Sequence, residues 1–112
     1  MLKRSSRLNL KKDFSWVASG QRSANQQVKL FFRFGQNEDP RVGIATSKTV
    51  FKKATDRNRA RRLISSAFEK LLADLPKGVN IVVLPKESVV SKSSDEITSS
   101  LEELLKKEGV IK

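Results

Sequence analysis

The sequence predicts an α+β fold: a single domain with a small mixed sheet sandwiched with helices. Three stretches predict it. "QVKLFFRFG" (27–35) places apolar side chains at every second position, and "KKATDRNRARRLISSAF" (52–68) opens a long apolar stripe at helical spacing. "VNIVVLP" (79–85) is apolar almost throughout. At 112 residues with 38% apolar content, the chain has the size of one domain and can bury one core.

Residues 1–9 form a basic arm carrying Arg4 and Arg7. Asn9 is a plausible N-cap for a short helix over 10–18, with Leu10, Phe14, Val17 and Ala18 at helical spacing. Gly20 fits the end of that helix. In 27–35, Val28, Leu30, Phe32 and Phe34 share the core face, while Lys29, Phe31 and Arg33 share the other. "GQNEDP" reads as a hairpin turn into a second strand, "RVGIATS". There Val42, Ile44 and Thr46 lie on one face, with Gly43, Ala45 and Ser47 on the other. A long helix starts at 52–56 and ends near 74, its stripe made of Ala60, Leu63, Ile64, Ala67, Phe68, Leu71 and Leu72. Pro76 and Gly78 stop it. The apolar run 79–85 reads as an interior strand. Ser93 and Glu96 offer a capping box for a last helix with Ile97, Leu101, Leu104 and Leu105 inward. That helix ends before Gly109, and 108–112 is expected to be a flexible tail. These residues give helix–strand–strand–helix–strand–helix, and the one candidate they offer for a further short strand is Val89-Val90.

Charge narrows the function. Lys and Arg number 23 against 12 Asp and Glu, a net +11 with a pI near 10.4, which favours a polyanion as partner. There is no cysteine, hence no disulfide framework and no thiolate metal site. No apolar run approaches the roughly 20 residues that cross a bilayer, and "MLKRSSRLNLKKDF" lacks a secretory apolar segment, so a cytoplasmic protein is expected. The chain has no histidine, the commonest acid–base group near neutral pH. Its carboxylates are scattered: Glu38 and Asp39 in a turn, and Asp95, Glu96, Glu102 and Glu103 on the last helix. No self-sufficient catalytic site and no protein-ligated metal are expected.

The long helix begins with Arg57, Arg59, Arg61 and Arg62 around Asn58, and Asp56 is the only acid between residues 40 and 68. Arg57 precedes Ile64 by seven positions and Lys53 precedes Ala60 by seven, so both continue the apolar stripe. Asn58 and Arg62 fall on the polar side and Arg59 at the stripe's edge. Charge therefore surrounds the first two turns, as if the helix start projected beyond the sheet. Free N–H groups there suit phosphate, but cations oppose the helix dipole, so the cluster makes best sense with a polyanion bound. Arginine forks grip phosphate or stack on bases. The alternatives are a solvated charged face, which is usually mixed in sign, and local pairing with Asp56.

The second face of 27–35 sets Phe31 between Lys29 and Arg33, as in single-strand binding surfaces where a ring stacks on a base and cations follow the backbone. Gly43 and Ala45 on the neighbouring strand would leave that face uncluttered. Phe31 could equally pack beneath the first helix against Phe14 or Val17, and both hold if Phe14 and Phe31 form a cleft wall. Trp16 lies on the other side of that helix, facing either the core or a partner.

"RLNLKKDF", "RVGIATSK" and above all "KKATDRNRARRLISSAF" resemble the protein subunit of bacterial ribonuclease P, in order over residues 7–107. The resemblance implies a ribosomal-protein-S5-domain-2-like fold of the α-β-β-β-α-β-α type with a left-handed crossover around the arginine-rich helix. It implies a catalytic RNA as partner, with bound Mg²⁺, which cuts the 5′ leader from precursor tRNA. The protein would be a non-catalytic subunit, monomeric in a 1:1 complex. Carried over by position, Lys53, Arg57, Asn58, Arg59, Arg61 and Arg62 match the motif that contacts the catalytic RNA. Phe14, Lys29, Phe31, Arg33 and Lys48 match the leader cleft, and Arg4 and Arg7 the basic arm. Ala18 stands where many members have a second aromatic, Ala60 where a branched apolar residue is usual, and Thr49 where a lysine often follows Lys48. The competing readings are a ribosomal structural protein of similar fold, which needs no leader cleft, and a nuclease in its own right, which the composition disfavours.

Overall fold

The computed structural model describes Leu2 and residues 4–112. Seven main elements follow one another: α1 (Leu10–Ala18), β1 (Gln21–Ala24), β2 (Val28–Phe34), β3 (Arg41–Ile44), α2 (Ala54–Leu71), β4 (Val79–Pro85) and α3 (Ser94–Lys107). Short 3-10 turns cover Arg4–Ser6, Leu72–Asp74 and Glu87–Ser91.

The sheet order is β1-β2-β4-β3, with β1, β2 and β4 antiparallel in turn and β3 parallel to β4. This corrects the expected hairpin between 27–35 and 41–47. A strand as apolar as β4 must be covered on both faces, which an edge does not allow, so it takes the place between β2 and β3. Strand β1, made of the polar residues Gln21–Ala24, pairs with β2 at the far edge and has no apolar alternation to announce it. Val89 and Val90, the candidate extra strand, lie instead in a 3-10 turn, where Val89 is buried under α2 and α3.

Three layers result. On one face of the sheet Val28, Leu30, Phe32, Val42, Ile81 and Val83 pack against Ala60, Ile64, Ala67 and Phe68 of α2 and Ile97, Leu101 and Leu105 of α3. On the other, α1 lays Val17 on Val82, bordered by Leu8, Leu10, Phe14, Phe31 and Leu84. Phe34, expected in the core, sits at the end of its strand and is 53% exposed.

The ends of the helices follow local chemistry. The Asn9 side chain accepts from the Lys12 N–H and starts α1. Ser93 and Glu96 close the capping box of α3, each side chain accepting from the other's N–H. Gly78 at φ +80° turns the chain from α2 into β4. The expected flexible tail at 108–112 is instead packed: Val110 and Ile111 are buried in the main core, which apolar residues there gain by covering Leu105. The arm is also seated. Leu2 and Leu8 are buried, the Leu8 N–H donates to the Val42 carbonyl at 3.0 Å, and Arg7 bridges in parallel to the outer edge of β3. Among the described residues no helix is long and apolar enough to cross a membrane.

Candidate nucleic-acid interface

Helix α2 starts at Lys53, which supplies no side-chain cap, so its first N–H groups face outward. Its arginines are held in separate directions. Arg57 continues the apolar stripe and is half-buried, one guanidinium nitrogen donating to the Phe51 carbonyl at 2.8 Å and the Lys52 carbonyl at 3.4 Å. Arg59 Nε donates to the Val90 carbonyl at 2.8 Å, and Arg61 donates to Thr46 Oγ1 at 2.8 Å. Asn58 and Arg62, on the polar side, are exposed.

The ion pairs between described side chains, Lys70–Asp95, Lys77–Glu38, Lys92–Glu96 and Lys106–Glu102, all use lysines. Among the described residues no arginine of the cluster is in an ion pair, and Asp56 pairs with none of them. Each guanidinium has five N–H donors and spends at most two here, so most of its fork stays open to an anion.

The second feature lies under α1. Phe14 and Phe31 are both half-buried and belong to one small cluster with Leu10, Val17, Val82 and Leu84. Phe31 therefore packs beneath the helix and keeps part of its ring exposed. The Lys29 ammonium lies 5.3 Å from the Phe31 ring centre. The cleft does not include all the expected residues. Arg33 is committed to the end of α1: it donates to the Trp16 carbonyl (3.1 Å) and Ser19 Oγ (2.8 Å), with its guanidinium 4.7 Å from the indole centre. That also places Trp16, 38% exposed, on Arg33 and over Gly35. Lys48 lies on the exposed loop after β3, at the end of the sheet where Lys29 also sits. The face beyond β4 is covered, not uncluttered: a Cβ on Gly43 would stand 2.7 Å from Leu10 Cδ2 and 3.2 Å from Leu8 Cβ. Pairing puts Arg22 of β1 beside Phe31 on the cleft face, a cation that no motif singled out. Only the register with β2 reveals it.

A third feature is a groove of about 930 Å³ between the arm, the outer edge of β3 and α2. It brings Arg7 of the arm together with Asn58, Arg61 and Arg62, over a floor that includes Leu8, Val42 and Ile44. Arg4 is exposed on the preceding turn and does not line it. No group of three or more acidic side chains among the described residues is placed to hold a metal ion.

A basic α+β domain with open guanidinium forks at one helix start and half-buried aromatic rings flanked by cations on the sheet is a nucleic-acid-binding protein in its physical chemistry. The family model for ribonuclease P matches residues 2–109. The ribonuclease P protein component of Pseudanabaena sp. is 34% identical over 113 residues, covering 99% of this chain and 97% of that one. That of Shouchella clausii is 33% identical, covering 98% and 91%. Among solved structures, the Staphylococcus aureus RNase P protein superposes with a TM-score of 0.81 at 25% identity, covering 96% of this chain and 98% of that one. The Thermotoga maritima protein gives 0.79 at 28% identity, covering 90% and 96%. The chain belongs to the ribonuclease P protein family, and is a protein component of that tRNA-processing ribonuclease.

Proposed function

We propose that this chain binds the catalytic RNA of ribonuclease P through the start of α2 and holds the 5′ leader of precursor tRNA in the Phe14–Phe31 cleft. The partner RNA, with its bound Mg²⁺, performs the hydrolysis, and the protein acts as a monomer in a 1:1 complex in the cytoplasm. The observation that carries this reading is the set of arginines at the start of α2, oriented by main-chain and hydroxyl acceptors yet paired with no carboxylate among the described residues. Guanidinium groups held this way present preorganised forks to phosphate, so less side-chain entropy is lost on binding. Lys53, Asn58 and Arg62 extend the surface around the same two turns, and the uncapped N–H groups of α2 add to it.

In the cleft, Phe31 and Phe14 supply ring faces for a base, while Lys29 and Arg22 flank the path of a backbone. Such a surface follows an unpaired leader without needing its sequence. Arg33, engaged by α1, acts as a positioning residue that fixes the helix over the cleft.

The test is cleavage of precursor tRNA by the partner RNA at low Mg²⁺, with and without this protein. The expected result is strong stimulation by the protein and no cleavage by the protein alone. Absence of stimulation overturns the reading, and cleavage by the RNA-free protein replaces it with a nuclease.

A further inference from the structure

We propose that the groove between the arm, β3 and α2 takes one unpaired nucleotide of the partner RNA, its base on the apolar floor and its phosphate on Arg61 and Arg62. This rests on the reading that α2 binds RNA and adds a site to it, distinct from the leader cleft on the other side of the molecule's edge strand.

The groove is two-toned. Along α2, Thr55, Asn58, Arg62 and Ser65 recur at three- and four-residue steps, so they form one polar wall beside the buried stripe. Opposite stands the arm, fixed by the Leu8–Val42 hydrogen bond and by Arg7 Nε donating to the Leu2 carbonyl at 3.0 Å. Between them the floor is aliphatic: Leu8, Val42 and Ile44. A volume of about 930 Å³ is at the upper end of what small-ligand sites offer and admits a nucleotide with room around it.

The charge chooses the occupant. Among the described residues three arginines line the groove against one carboxylate, Glu69. A duplex presents only phosphates and sugars to such a recess and leaves its apolar floor empty. An unpaired base has a flat apolar face for the floor and polar edges within reach of Asn58, Thr55 and Ser65, the way proteins read single-stranded RNA elements. The groove also opens on the same turns of α2 that present the arginine cluster, so RNA docked there already lies at its mouth. An acidic peptide satisfies the charge but not this continuity.

The chain has no cysteine, so Ser65→Cys gives a unique attachment point in the groove, with Ser99→Cys on the exposed side of α3 as control. Each is labelled with an aryl azide and irradiated in the reconstituted complex with the partner RNA. The expected result is a cross-link from position 65, and not from 99, to one or two unpaired nucleotides. Those bases react with base-specific reagents in the free RNA and become about tenfold less reactive in the complex. Cross-links only to helical segments, or no base protected while the RNA binds at full affinity, overturn the groove site and leave RNA binding by α2 standing. Failure of the unlabelled protein to bind the RNA overturns both. A cross-link in cell extract to a polypeptide and none to RNA assigns the groove to a peptide instead.

Discussion

Arg57, Arg59 and Arg61 differ from Arg62 in having an acceptor on the protein itself: the Phe51 carbonyl, the Val90 carbonyl and the Thr46 hydroxyl. Such anchoring aims the rest of each guanidinium and removes rotamers that a phosphate contact would otherwise have to freeze. Arg57→Ala and Arg59→Ala should each weaken binding to the catalytic RNA by about tenfold, the loss of roughly one charge-assisted hydrogen bond. Filter binding measures this, with urea denaturation confirming that the variants fold; unchanged affinity in both places the RNA elsewhere. Phe31 works differently, because its ring packs with Phe14 rather than carrying charge. Phe31→Ala should lower affinity for precursor tRNA by about ten- to a hundredfold, since stacking is worth roughly 1–3 kcal/mol per base, while mature tRNA, which lacks a leader, binds as before. Equal losses on both tRNAs remove the leader from this cleft.

At the scale of elements, α1 is seated on the sheet by close backbone approach. A Cβ on Gly20 would lie 2.6 Å from the Phe32 carbonyl oxygen and 2.9 Å from Arg33 Cβ, neither of which yields easily. Gly20→Ala should cost about 1–3 kcal/mol of stability through that overlap, read as a lower urea midpoint, and a midpoint equal to the parent's means that α1 sits more loosely than described. Gly20 ends the helix as its position in the sequence suggests, yet among the described residues only Gly78 and Gly109 adopt positive φ, and Gly20 is there for space. The helices were legible because their signals are local: Asn9 and the Ser93–Glu96 box mark starts, and the stripe of α2 is continuous. Strand neighbours were not. β1 is polar and exists through pairing with β2, and the place of β4 between β2 and β3 is settled by burial across the whole sheet. The same divide runs through the site. The arginine cluster is a run in the chain and could be read directly, whereas Arg22 beside Phe31 and the groove under Arg7 depend on which strands adjoin.

For the molecule as a whole, what matters is where the surplus of +11 goes. The ion pairs between described residues join Lys70, Lys92 and Lys106 to Asp95, Glu96 and Glu102 of α3, and Lys77 to Glu38. Among the described residues these pairs take up lysines, while the arginines at the start of α2 are in none of them. A binding partner that spans these surfaces releases counterions from each phosphate it brings. With about six phosphates neutralised, the logarithm of the RNA affinity should fall against the logarithm of salt with a slope of roughly −4 to −5. Two variants locate the charges responsible. Arg57→Ala should make that slope shallower by about one, as expected for a lost phosphate contact. Lys70→Ala removes a cation already matched by Asp95 and should leave the slope unchanged. Titrations between low and moderate salt distinguish these outcomes. A parent slope near −1, or an equal change in both variants, would mean that the arginine face and the rest of the basic surface do not meet the RNA together.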